Sequence, residues 1–318
     1  MPGSTTPTSK NNPSFGASLR SKLQAKLAHI PMSILFLVLP AGFFFLIFMI
    51  IPLVVVLYYS LQPSILIEDQ GQGLTLANFV YFISRPHYVQ TIFRTLRFAF
   101  TATLFSVIIG YGASLVLRRV SGSLGNTAIL VLTFPILSGP IVTIMGWMIM
   151  LTSGGAVGQS LAFIRSLLGL EEASTLLLGS DVAVIIGMVH FNLAFVIMNL
   201  LNVMLVIPKD LEEAAMNLGA NRWQVFRQVI WPLSLPGVFS ATLISLALSM
   251  NAFVNPTYLG NDSRPVMTTQ ISQFMLTSYN WQMASTTSVI LLSISMVIIL
   301  VYNLLFGRAA VIRKGSSQ

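Results

Sequence analysis

The side chains able to do chemistry are few and widely spaced. Three histidines, His29, His87 and His190, form no H-E-x-x-H pair to hold a metal, and no G-x-S-x-G turn presents a nucleophile. A G-x-x-x-x-G-K-[ST] loop that would cradle phosphates is also missing, so the chain is not expected to hydrolyse ATP. It contains no cysteine, which excludes a thiolate metal site and a disulfide framework. No catalytic residue, metal ligand or bound cofactor is therefore assigned. The segment most informative about function is Ile207 to Pro236, IPKDLEEAAMNLGANRWQVFRQVIWPLSLP, where Glu213 stands beside Ala214 and Ala215 and is followed by Gly219. Those residue types suit recognition: the alanines let another surface approach closely, and the glutamate offers a charge to pair with.

Local rules predict two short helices there. Asp210 and Glu213 have capping-box spacing, and the acidic first turn suits the positive end of a helix dipole. Gly219 can take the left-handed conformation that ends a helix, and Asn221 can cap a second one that stops ahead of Pro232. Trp223, Phe226 and Ile230 share one face, with Arg222 and Arg227 off it. An amphipathic loop lying on a bilayer accounts for Trp223 and the arginines, but not for the alanine pair beside the glutamate.

The elements that must position this elbow are apolar. Of 318 residues, 55% are hydrophobic and 8% charged, with a mean hydropathy of +0.82, a composition that belongs in a bilayer. Six stretches without Asp, Glu, Lys or Arg, near residues 34–61, 98–117, 126–150, 182–206, 237–260 and 284–306, are long enough to cross it. The expected fold is an all-α polytopic membrane protein with about six transmembrane helices over residues 34–306 and a cytoplasmic loop at 207–236. Buried helices of a soluble enzyme are excluded, because too little charged amphipathic surface remains to face water. Residues 1–33 read as a basic cytoplasmic tail, with Lys10, Arg20, Lys22 and Lys26 and no acid, rather than a cleaved signal peptide. Residues 307–318 form a second cytoplasmic tail.

Orientation follows from the basic residues. With both termini inside, Arg118, Arg119, Lys209, Arg222, Arg227, Arg308, Arg313 and Lys314 join the tail residues on the inner side, against Arg85, Arg94, Arg97, Arg165 and Arg264 outside. Arg94 and Arg97 run mildly against this rule and could snorkel. The net charge of +8 is explained by anchoring to membrane lipids, and no nucleic-acid motif appears.

Within the predicted helices, His190 is the one ionisable group besides the boundary residue Asp181, which suits a helix start. His190 either lines a solute path or packs through a hydrogen bond. Proton-coupled transport would need more such groups, so the driving energy is expected from outside the bilayer; sodium coupling through backbone carbonyls is disfavoured but stays open. Asn251, Asn255, Pro256 and Tyr258 supply polar groups and a helix break, either lining a cavity or forming a packed proline kink.

Glu213-Ala214-Ala215, three residues, Gly219, then Val229 and Pro232 resemble the E-A-A-x3-G-x9-I-x-L-P loop of ATP-binding-cassette importer permeases, with Val229 in place of Ile and Trp231 in place of Leu. Thr75 to Phe100 and Asn251 to Phe274 are similar to the spermidine/putrescine-type permeases, and the likeness runs from about Ile34 to Phe306. The resemblance implies a type I importer permease fold in the bacterial inner membrane. It also implies a cytoplasmic ATPase dimer that carries ATP and Mg, contacted by Glu213, Ala214, Ala215 and Gly219. A second homologous permease, or a second copy of this chain, would complete the pore. A periplasmic binding protein would deliver the solute to outer loops at 62–90, 152–180 and 261–282, where Glu68, Asp69, Glu171 and Glu172 could meet it. The implied mechanism is alternating access driven by nucleotide. For the solute, a polyamine, another amine, an opine-like compound and an organophosphonate all stay open. The rival class is a single-chain secondary transporter or channel.

Overall fold

The computed structural model describes residues 32–64, 66, 73–120, 122–168, 177–260 and 265–312. Most of the two tails, together with Glu68, Asp69, Arg264, Glu171 and Glu172, lies outside the described residues. The regular secondary structure of the described residues is helical: α1 (Met32–Ser60), α2 (Ala77–Ser84), α3 (Pro86–Leu117), α4 (Ser123–Leu151), α5 (Ala156–Leu167), α6 (Asp181–Leu205), α7 (Lys209–Asn217), α8 (Arg222–Met250), α9 (Val254–Leu259), α10 (Met267–Ser272), a π-helical turn (Gln273–Thr277) and α11 (Trp281–Ile312). Six helices, α1, α3, α4, α6, α8 and α11, are long and apolar enough to cross a membrane.

Two compact units divide at Val55. In the first, α1 is uncharged and carries Pro40 and Pro52 internally, with Phe44 and Phe48 in ring contact at 4.3 Å.

The second unit is organised around α3, α6 and α8. Between membrane helices burial from water drives nothing, so small residues and hydrogen bonds must do the work of association. Gly110 of α3 lies against Val196 of α6, so close that a Cβ there would come within 2.6 Å of Val196 Cγ1. Asn192 of α6 donates to Ser245 and Ser249 of α8 at 3.1 and 2.7 Å, and Ser240 of α8 donates to Asn199 at 2.7 Å. Ala99, Ala102 and Ala241 are fully buried in the same region. Val196 is β-branched and fully buried, so it cannot yield easily. Gly110→Ala is therefore expected to cost about 1–3 kcal/mol, read as a lower melting temperature of the detergent-solubilised protein.

A second cluster joins α2, α10, the π-helical turn after it and α11 through Phe82, Met267, Phe274 and Met283. The end of α1 within this unit is pinned to it: Asn78 donates to the Ser60 and Gln62 carbonyls, and Thr286 donates to the Ser60 carbonyl.

The boundaries depart from the hydropathy reading in four places, one being the end of α8 at Met250 rather than near residue 260, because the chain leaves the helix at 251–253 before α9. Helix α3 begins at Pro86, ahead of the Phe98 expected, because its early arginines are accommodated: Arg94 donates to the Pro265 carbonyl at 2.8 Å and Arg97 pairs with Asp181. Helix α4 breaks at Gly139 (φ 77°), between Pro135 and Pro140. The two helices expected on either side of Pro232 are one continuous element, α8. A π-helical stretch over Phe226–Ile230 leads into Pro232, and the Trp231 N–H reaches back five residues to the Phe226 carbonyl. Widening the turn ahead of the proline lets the helix pass through it.

Candidate functional site

The elbow between α6 and α8 is built as follows. Helix α7 starts at Lys209 with Pro208 as its N-cap, and no side chain caps it; the capping box expected from Asp210 and Glu213 does not form. Pro208 ends the preceding turn, so the helix begins two residues earlier than a cap at Asp210 would place it, and Asp210 and Glu212 fall in its first turn, where the helix dipole favours them. The helix closes at Leu218, and Gly219 turns the chain with φ +88° while its N–H donates to the Met216 carbonyl at 2.9 Å. Asn221 then caps α8 through a reciprocal pair with Gln224, at 2.9 and 2.8 Å.

No residue of α7 is buried. Glu213, Ala214 and Gly219 are exposed and Ala215 is half-buried. Leu218 is 90% exposed and Trp223 66% exposed, its indole stacked on Phe226 at 5.3 Å. The expected apolar stripe is thus split: Ile230 is buried, Phe226 half-buried, and Trp223 looks outward. The elbow presents a charge, small side chains and large exposed apolar ones together.

Two contacts that sequence reasoning missed tie this region to α3. Arg118, at the end of α3, is paired with Glu212 of α7. Tyr111 of α3 shares a hydrogen bond with Ser234 at 2.9 Å and meets Trp231 edge-on at 5.3 Å. Pairing across distant segments leaves no periodic signal.

The residues expected along a solute path are partly brought together. Asn251 and Asn255 line one cavity of about 380 Å³ where α8 ends, with Phe191, Asn192, Ser249 and Phe253. Asn251 also lines a second cavity, of about 870 Å³, along a polar row of α11 that includes Ser288, Ser295 and Asn303. His190 lies elsewhere, half-buried against Trp147 at 5.5 Å in an apolar pocket. Pro256 is buried inside α9, so the chain breaks ahead of it at residues 251–253, and Tyr258 is exposed; neither lines these cavities. Asn192 was missed because one asparagine in a long apolar run has no spacing partner.

The Nδ2 of Asn251 donates to the Ala247 carbonyl at 2.9 Å, and that of Asn192 is engaged by the two serines. Both N–H groups of Asn192 and one of Asn251 are thus engaged within the helices, and the buried Asn255 Oδ1 has no hydrogen-bond partner among the described residues. No Asp, Glu, Lys or Arg lines either cavity.

Comparison with known proteins places this architecture. Relatives include the spermidine/putrescine transport system permease protein PotB of Haemophilus influenzae, 27% identical over 255 residues covering 80% of this chain and 87% of PotB. PotB of Escherichia coli K12 is 27% identical over 228 residues, 72% of this chain and 81% of its own length. Among solved structures, a chain of a bacterial alginate ABC transporter in complex with its alginate-bound periplasmic protein shares the fold with TM-score 0.73 and 19% identity, covering 87% of this chain and 95% of that one. A chain of the inward-facing MetNI methionine ABC transporter matches with TM-score 0.52 and 21% identity over 72% of this chain and 95% of its own. A profile of binding-protein-dependent transport system inner membrane components matches residues 102–310, which run from within α3 into α11 and include the elbow. The chain belongs to that family and is a multi-pass permease subunit of an ATP-driven solute importer in the inner membrane.

Proposed function

We propose that this permease imports a small amine, of the polyamine class or an opine-like relative of it, delivered by a periplasmic binding protein. The observation that carries the energy-coupling half of this reading is the elbow. A helix with no buried residue, tied to the bundle through Glu212, presents Glu213, Ala214, Ala215 and Gly219 beside Leu218 and Trp223, while the membrane cavities hold no group able to drive uphill movement. A cytoplasmic ATPase dimer, carrying ATP and Mg, covers that elbow. ATP binding closes the dimer, the elbow moves with it, and the helices rock open toward the outside; hydrolysis resets them. Both termini and the elbow are cytoplasmic, in keeping with Arg118, Arg119, Lys209, Arg222 and Arg227 at that end. The pore is completed by a second, similar permease, with a homodimer as the alternative.

The amine assignment is supported by the cavities and by the names of the relatives. Amide oxygens of Asn192 and Asn251 and the faces of Phe191 and Phe253 suit an ammonium group, which needs acceptors or π-faces in place of water. Two measurements test this reading. Affinity purification of the tagged chain is expected to recover an ATPase; recovery of none from gently solubilised membranes contradicts the coupling half. Calorimetric titration of the cognate binding protein is expected to show tight binding of putrescine or spermidine, and heat with an anionic organophosphonate alone contradicts the substrate half.

A further inference from the structure

We infer that the partly buried ion pair between Arg118 and Glu212 is the joint through which movement of the elbow reaches helix α3, so that Arg118 is a positioning residue for energy coupling. This rests on the reading that an ATPase grips the elbow. Helix α7 has no buried residue, so apolar packing does not hold it to the bundle. At its ends stand Pro208, where the chain is extended, and Gly219 at φ +88°, two points about which a short helix can swing. The firm attachment on α7 itself is Glu212, one position before Glu213. Its carboxylate accepts from Arg118 Nη2, and the two side chains are 17% and 6% exposed. A guanidinium that deeply buried is held by its partner, since separating the two would strand a charge away from water.

What Arg118 sits on decides where the movement goes. Helix α3 is clamped to α6 by the Gly110–Val196 approach and by Ser114, which donates to the Gly110 carbonyl and reaches the Ile197 carbonyl at 3.4 Å. Through Tyr111 it holds Ser234 and Trp231 of α8. A pull on Glu212 is thereby applied to three packed membrane helices at once. Without the pair, α7 can follow the ATPase while the bundle stays behind. Arg118 Nη1, buried and without a hydrogen-bond partner among the described residues, leaves the guanidinium dependent on Glu212.

The experiment uses the complete transporter in lipid nanodiscs, with the chain's lack of native cysteine as an advantage. Ala247→Cys, in the cavity of Asn251 and Asn255, reports outward opening through its rate of reaction with a bulky, charged maleimide, with and without ATP and vanadate. In the otherwise native chain nucleotide is expected to change that rate about tenfold. Arg118→Met is expected to keep the ATPase bound and hydrolysing ATP while the nucleotide response falls below about twofold, and Arg118→Lys, which keeps the charge without the fork, to fall between. A merely structural role would lower the amount of complex without changing the response of what assembles. A full response in Arg118→Met overturns the inference. Should that variant fail to assemble, Arg118→Met/Glu212→Gln, with both charges removed, decides in the same way. If the parent chain itself neither binds an ATPase nor responds to nucleotide, the docking reading fails instead.

Discussion

Glu213→Lys is expected to cut ATP-driven uptake by about tenfold or more, since reversing a charge at a covered contact costs at least ~1.4 kcal/mol. The chain should still insert and fold, because Glu213 is exposed and lies on a helix with nothing buried. Gly219→Asp should act similarly for a different reason. A Cβ there meets nothing within 4 Å, so the penalty is not steric. It comes from the backbone at φ +88°, roughly 1–2 kcal/mol for a residue with a side chain, and from an anion placed at the negative end of α7. Both variants are checked in reconstituted vesicles by measuring ATP hydrolysed and solute accumulated in the same sample. Uncoupling appears as hydrolysis that persists while accumulation falls; unchanged accumulation would count against the elbow as the contact.

The second large effect concerns the solute. Asn251 lines both cavities, and its side chain sits among neutral groups. Asn251→Lys puts a cation on the path proposed for an ammonium group. At about 5 Å and an effective dielectric of about 20 the repulsion is ~3 kcal/mol, which is roughly a hundredfold in occupancy. Uptake of putrescine should be lost while Asn251→Asp retains it. The opposite ranking, with lysine tolerated and aspartate blocking, would mean that the transported solute is an anion.

Much of this architecture was written in single residues. Six uncharged runs announce six crossings because lipid tolerates little else, and Gly219 and Asn221 mark the elbow's turn through conformational and capping preferences that depend on few neighbours. What stayed illegible depends on partners distant in sequence. The start of α3 was placed too late because Arg94 and Arg97 look like the edge of a membrane span until Pro265 and Asp181 are seen beside them. The passage of α8 through Pro232 was hidden because the π-helical turn before it is a tertiary accommodation. Helix α5 falls within the segment expected as an outer loop at 152–180, and its 12 residues are too short to cross a membrane. Within the candidate site, the Glu213–Gly219 cluster is a local motif and was found from its spacing. The Arg118–Glu212 pair and the role of Asn192 exist only once α3, α6, α7 and α8 are packed together.

The central claim is that force arrives at the elbow from a separate ATPase, and a photo-cross-link tests it most directly. A benzophenone maleimide attached at Ala214→Cys, exposed on α7 in a chain without other cysteines, is placed in native membranes and irradiated. The account predicts an adduct with an ATP-binding-cassette subunit whose yield changes when ATP and vanadate are added. Adducts with lipid alone, in membranes where the same preparation still accumulates solute, would contradict it.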